Sequence, residues 1–170
     1  MSNSMSNDIT EKIENLKELV INNPEDFQSK KELAFAFIDE GQLNDALNLF
    51  NELLEKFPND ADLYFNCGII YERLKNNDKA MEYYKKAVEL EPDVADYNYN
   101  IGFLYDNIRE YDEAIKYYNK VLELDEEDAN THFNLACLLS KKNLTEEAIE
   151  HYNKAIELNP EDAYAHFYLA

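Results

Sequence analysis

The chain has no tryptophan and only three glycines, four prolines and two cysteines in 170 residues. A turn-dense β-sandwich or barrel draws on glycine and proline at its tight turns, so their scarcity argues against that class, whereas long helices need few of either. Cys67 and Cys137 are 70 residues apart and suggest neither a disulfide framework nor a zinc knuckle. Positive charge is also scarce: 16 Lys and Arg stand against 36 Asp and Glu, a formal net charge of -20, and only Arg73 and Arg109 are arginine. Phosphate backbones are bound by clustered basic residues, so nucleic acid is excluded as a partner, and an anionic membrane surface is disfavoured for the same reason. No stretch approaches the roughly 18 apolar residues of a membrane span. The opening MSNSMSNDIT lacks the basic start and apolar run of a signal peptide, so a cytoplasmic location is expected.

What the chain does have is periodicity. Pro24, Pro58, Pro92 and Pro160 fall on a 34-residue grid whose one empty point is Glu126. Ala46, Ala80, Ala114 and Ala148 form a second grid of that spacing, and Phe50, Tyr84, Tyr118 and Tyr152 a third. A period of this length decides the architecture. The expected organisation is a disordered start at 1–7, a capping helix or half repeat at 8–23, repeats at 24–60, 61–94, 95–128 and 129–162, and a truncated fifth at 163–170. Places within a repeat are counted from Phe27, Ala61, Ala95, Ala129 and Ala163.

Inside each repeat apolar residues recur at helical spacing in two blocks, such as Tyr64, Cys67, Gly68 and Tyr71, then Ala80, Tyr83, Tyr84, Ala87 and Val88. Each repeat is therefore two helices, and the fold class is an all-α solenoid. Asp26, Asp60, Asp128 and Asp162 stand where the first helices begin, and Asn44, Asp78, Asp112 and Thr145 where the second are expected to begin. Runs such as Asp125-Glu126-Glu127-Asp128 read as caps and solvated loop, since they lack the glycine and spacing of a calcium loop. Ala34, Gly68, Gly102 and Ala136 share place eight, and the grid alanines are expected to face them across a close helix contact. Ahead of the repeats, Ile9, Ile13, Leu16 and Val20 share one helix face suited to covering the first pair, as the end of a stack requires.

A 34-residue pair of helices with a small residue at place eight, Ala twelve residues on, an aromatic four later and a closing Pro resembles the tetratricopeptide repeat. The stretches NYNIGFLYDNIREYDEAIKYYNKVLEL and AYAHFYLA look like that family almost throughout, and the likeness runs from about residue 24 to 170. It departs in lacking Trp at place four, where Lys30, Tyr64, Asn98 and His132 stand, and in lacking Pro at Glu126, where the turn is expected to differ a little. The resemblance implies a right-handed superhelix whose first helices line a concave face that binds peptides.

The residues bear on that face independently. At about 100° per residue, place nine points away from the packing face of a first helix. A merely solvated surface would be polar there, yet place nine holds Phe35, Ile69, Phe103 and Cys137, and place five holds Phe65, Tyr99 and Phe133. This stripe either packs on neighbouring first helices or floors an exposed groove, since extended exposed apolar surface marks a binding site. Asn66, Asn100 and Asn134 form a ladder at place six, and similar asparagines in the family hold a peptide backbone. Arg73 and Lys141 are the local cations and Asn107 lies beside them, among Asp62, Asp96, Glu72 and Asp106. Lys31 and Asn66 match part of the family's clamp for acidic tails, but Phe35, Asp96 and Asn100 break it. Charge complementarity then favours an apolar or basic segment of a partner protein.

No catalytic arrangement emerges. Gly41, Gly68 and Gly102 are isolated, so no nucleotide loop is formed. His132 and His166 are one period apart at the same place, His151 lies on a second helix, and all three read as structural rather than as metal ligands. No cofactor and no metal is implied. The expected function is a non-enzymatic interaction scaffold with its groove at the residues above. A self-assembling module stacking end to end, and the targeting part of a longer enzyme, are the alternatives suggested by a chain that stops eight residues into its fifth repeat.

Overall fold

The computed structural model describes residues 2–160, with side chains from residue 8. Among these residues there are helices and turns only. They run α1 (Ser2–Asn22), α2 (Phe27–Asp39), α3 (Leu43–Lys56), α4 (Ala61–Arg73), α5 (Asn77–Leu90), α6 (Ala95–Asn107), α7 (Tyr111–Leu124), α8 (Ala129–Lys141) and α9 (Thr145–Leu158). The helical backbone begins at Ser2, so residues 2–7, expected to be disordered, continue α1. No glycine or proline interrupts the chain before Pro24, and nothing local stops the helix short. Asp162 and the expected fifth repeat at 163–170, with Ala163 and His166, lie outside the described residues.

The chain divides into two compact bodies, Met1–Leu90 and Glu91–Ala170. In the N-terminal body, α1 packs on α2, α2 on α3, α3 on α4 and α4 on α5. Ile13 and Leu16 of α1 are buried with Leu33, Phe37, Phe50 and Leu63, while Ile9 and Val20 are partly buried against them. The C-terminal body pairs α6 with α7 and α8 with α9, with α7 also against α8. Its core gathers Ala114, Tyr118, Leu135, Leu138 and Tyr152. A fully buried aromatic contributes roughly 1.5–3 kcal/mol, so the grid Phe50, Tyr84 and Tyr118, each 0% exposed, are principal stabilising residues of their repeats.

At the two glycines of place eight the nearest neighbour is the grid aromatic. A Cβ built on Gly68 would stand 2.5 Å from the Tyr84 ring, and one on Gly102 would stand 3.0 Å from the Tyr118 ring. At these two places the grid aromatic takes the space that a side chain would need.

Turns repeat as closely as helices. Gly41, Lys75, Arg109 and Asn143 all adopt positive φ, between 62° and 79°, at the end of a first helix. Backbone bonds from Gln42 to Phe37 (2.7 Å), Asn76 to Tyr71, Glu110 to Tyr105 and Leu144 to Leu139 (each 2.9 Å) close each turn. This six-to-one bond with a left-handed residue is the Schellman arrangement. It places the caps of the second helices at Gln42, Glu110 and Leu144, while Asn76 Oδ1 accepts from Lys79 N at 3.2 Å. Asn44, Asp78, Asp112 and Thr145, expected as caps, instead lie in the first turn. The carboxylates among them still favour the helix dipole from there.

At the first helices Asp26, Asp60 and Asp128 cap as expected, accepting from Gln28, Leu63 and Thr131. The turn without its grid proline keeps its length, because Asp125 Oδ1 accepts from Glu127 N at 3.0 Å and holds the bend.

Candidate functional site

The expected groove residues divide between the two bodies. The N-terminal body carries Phe35 on α2 and Phe65, Asn66, Ile69 and Arg73 on α4. The C-terminal body carries Tyr99, Asn100, Phe103 and Asn107 on α6 and Phe133, Asn134, Cys137 and Lys141 on α8.

Place nine and place five behave differently. Phe35 and Phe103 at place nine are each 37% exposed, large apolar side chains left in reach of solvent. Ile69 and Cys137 are partly buried. At place five the rings turn onto the buried aromatic of their own repeat. Phe65 lies 5.5 Å from Tyr84, Tyr99 5.6 Å from Tyr118, and Phe133 5.9 Å from Tyr152, centroid to centroid. Phe35 makes the same approach to Phe50 at 5.7 Å. The stripe is thus anchored within each helix pair, a third possibility beside the two that periodicity left open.

The asparagine ladder has a definite polarity. Asn66 Nδ2 donates to Asp62 O at 2.7 Å and Asn100 Nδ2 to Asp96 O at 2.8 Å. A carbonyl only accepts, so the chemistry fixes which carboxamide atom is nitrogen. The amide nitrogen bonds its own helix, and the carboxamide oxygen stays on offer as an acceptor. Asn134 differs, donating across to Tyr99 Oη at 2.8 Å and tying α8 to α6.

The cations are engaged as well. Lys141 Nζ meets Asp106 at 2.8 Å, again joining α8 to α6, and Arg73 Nη1 donates to Ile38 O at 3.4 Å. Lys31, expected to match part of an acidic-tail clamp, lies 3.8 Å from Asp62. Asn107 is exposed at the end of α6.

The thiols are shielded. Burial pushes Cys67 up to about 12. Cys137 is also raised by burial, against the opposing influence of a Tyr152 hydroxyl 3.3 Å away. Two cavities lie beside the stripe's helices: one of about 460 Å³ lined by Tyr64, Tyr83 and Lys86, and one of about 340 Å³ lined by Leu122, Glu126, Glu127, His132 and Lys154. Neither includes a residue of places five, six or nine.

One cluster escaped the sequence reading. His132 Nδ1 lies 2.8 Å from His151 Nδ1, with the rings 5.1 Å apart. The available signal was the repeat itself, since Tyr64 and Tyr83 occupy the same two places and their rings meet at 6.0 Å. Among the described residues no three His, Cys, Asp or Glu gather as a metal site, and no helix is long and apolar enough to cross a membrane.

Two sequence profiles, both of the tetratricopeptide repeat, match the chain, one at residues 37–100 and the other at 95–128 and 129–162. A TPR repeat-containing protein of Methanocaldococcus jannaschii is 37% identical over 54 residues, which is 32% of this chain and 17% of that protein. The chain thus matches under a fifth of that relative's length. Among solved structures, MamA superposes with a TM-score of 0.82 at 22% identity, over 96% of this chain and 95% of that one. MamA from Desulfovibrio magneticus RS-1 gives 0.80 at 23% identity, over 91% and 88%. YrrB, a TPR protein with an unusual peptide-binding site, gives 0.77 at 21%, over 97% and 85%.

Proposed function

Since the chain belongs to the tetratricopeptide-repeat family, we propose that it is a non-catalytic scaffold that holds an apolar or basic peptide segment of another protein against its first helices. The observation that carries this reading is the half-exposed apolar place nine, with Phe35 and Phe103 each 37% exposed, beside asparagines whose oxygens remain to accept. Peptide N–H groups and basic side chains are the donors such oxygens suit. The net charge of -20 attracts a segment rich in Lys or Arg and repels an acidic one. The peptide-binding site of YrrB, a fold neighbour, supports the same class of activity.

The test is F103D, a polar change at an exposed position that leaves the core intact. Partner capture by the variant is expected to fall at least tenfold while its circular dichroism stays that of the wild type. Unchanged affinity in the folded variant rejects the groove. A second reading, self-association, draws on α1, where Leu19 and Ile21 are 53% and 77% exposed. Light scattering over a dilution series separates the two, because self-association alone raises the mass with concentration.

A further inference from the structure

Place four carries one recurring contact made by three different side chains. Tyr64 Oη donates to Pro58 O at 3.2 Å, Asn98 Nδ2 donates to Pro92 O at 3.0 Å, and His132 Nε2 lies 3.1 Å from Glu126 O. The acceptors are the carbonyls of the proline grid, including its empty point. Because a carbonyl cannot donate, His132 holds its hydrogen on Nε2, and in the neutral ring its Nδ1 bears the lone pair. The 2.8 Å contact with His151 Nδ1 then takes its hydrogen from His151.

The pair tolerates a single added proton, with His151 as the imidazolium donating to a neutral His132. A second added proton sets N–H against N–H across that 2.8 Å contact. His132 itself is 9% exposed, and His151 is partly buried. Three elements face the pair. The α7–α8 turn brings Glu126 and Glu127, α9 brings Lys154, Glu147 and Glu150, and α7 brings the apolar Leu122. Glu147 and Glu150 favour a charged His151, but its burial, foremost, and the nearby His132 outweigh them and hold it below its usual value.

We propose that the His132–His151 pair is a pH-sensitive joint in the fourth repeat, closed while it shares at most one added proton and opened between α8 and α9 by a second. The sign follows from linkage. The unfolded chain charges both rings through the ordinary range near pH ~6.5, whereas in the folded chain the 2.8 Å contact opposes the second proton. The stabilisation is therefore full above that range and is lost as pH falls through it.

The test compares thermal unfolding of the wild type and of the double variant H132N/H151Y, which installs the residues that Asn98 and Tyr117 supply at the same places of the third repeat. Between about pH 8 and about pH 5, on either side of the ordinary histidine range, the wild type is expected to lose about 2–4 °C more than the variant. The common effect of neutralising carboxylates cancels in that difference. Nitrogen-15 spectra of the wild-type rings need no variant, and are expected to show His132 as the Nε2–H tautomer, with the pair's second proton binding below the range of an exposed histidine. Equal thermal shifts in the two proteins, or two rings charging independently near pH ~6.5 in the folded state, overturn the proposal.

Discussion

In the second repeat a Cβ at place eight would stand 2.5 Å from the Tyr84 ring, and the Tyr84 hydroxyl donates to Glu72 at 2.9 Å. In the fourth repeat Ala136 fills place eight, and the matching Tyr152 hydroxyl donates instead to Cys137 at 3.3 Å. Both repeats hold a first helix of 13 residues and a second of 14. The two differ in how closely the aromatic approaches the first helix and in what satisfies its hydroxyl, while helix lengths and turns are unchanged. A repeat thus prescribes positions for volume and for hydrogen bonds, and several residue types can meet each prescription.

That comparison is broken most severely at place eight. Gly68→Ala gains roughly 1 kcal/mol of helix propensity but forces the buried Tyr84 ring to move, so a net loss of about 2 kcal/mol is expected in urea unfolding. Gly102→Ala meets Tyr118 at 3.0 Å, a looser contact, and is expected to lose under ~1 kcal/mol in the same experiment. The hydroxyls come next after Gly68 in size. Tyr84→Phe gives up a bond to a carboxylate and is expected to cost about 1.5 kcal/mol. The buried Tyr118 hydroxyl makes no bond to a carboxylate, so Tyr118→Phe is expected to cost less than Tyr84→Phe in the urea midpoint. At the turns the expected sign reverses. Lys75 and Arg109 hold the left-handed conformation that Gly41 holds elsewhere, and Lys75→Gly or Arg109→Gly is expected to stabilise by about 0.5–1 kcal/mol. Thermal unfolding of each single variant measures it, and Gly41→Ala should shift the midpoint the other way.

The paired-helix plan was legible because proline, alanine and aromatic residues recur at one spacing, and recurrence survives substitution at any single place. The starts of the second helices were not legible to the residue. Acidic side chains favour a helix start equally well from the cap or the first turn, and the Schellman turn that fixes the boundary is a matter of backbone angle, carried by Gly41, Lys75, Arg109 and Asn143 alike. At the candidate site, angular spacing found the exposed Phe35 and Phe103. It could not show that Phe65, Tyr99 and Phe133 lean onto their own buried aromatics, because that depends on rotamers. The histidine pair was hidden for another reason: its members belong to different helices, and only superposition of the fourth repeat on the second brings their places together.

The contact between place four and the grid carbonyl joins residues only six apart in sequence. Donor and acceptor therefore travel together in any segment cut at the turns between first and second helices, those of Gly41, Lys75, Arg109 and Asn143. A gene that duplicates or deletes such a segment leaves no orphaned carbonyl at the seam, so the number of repeats can change in evolution without first requiring compensating mutations in the repeats that remain.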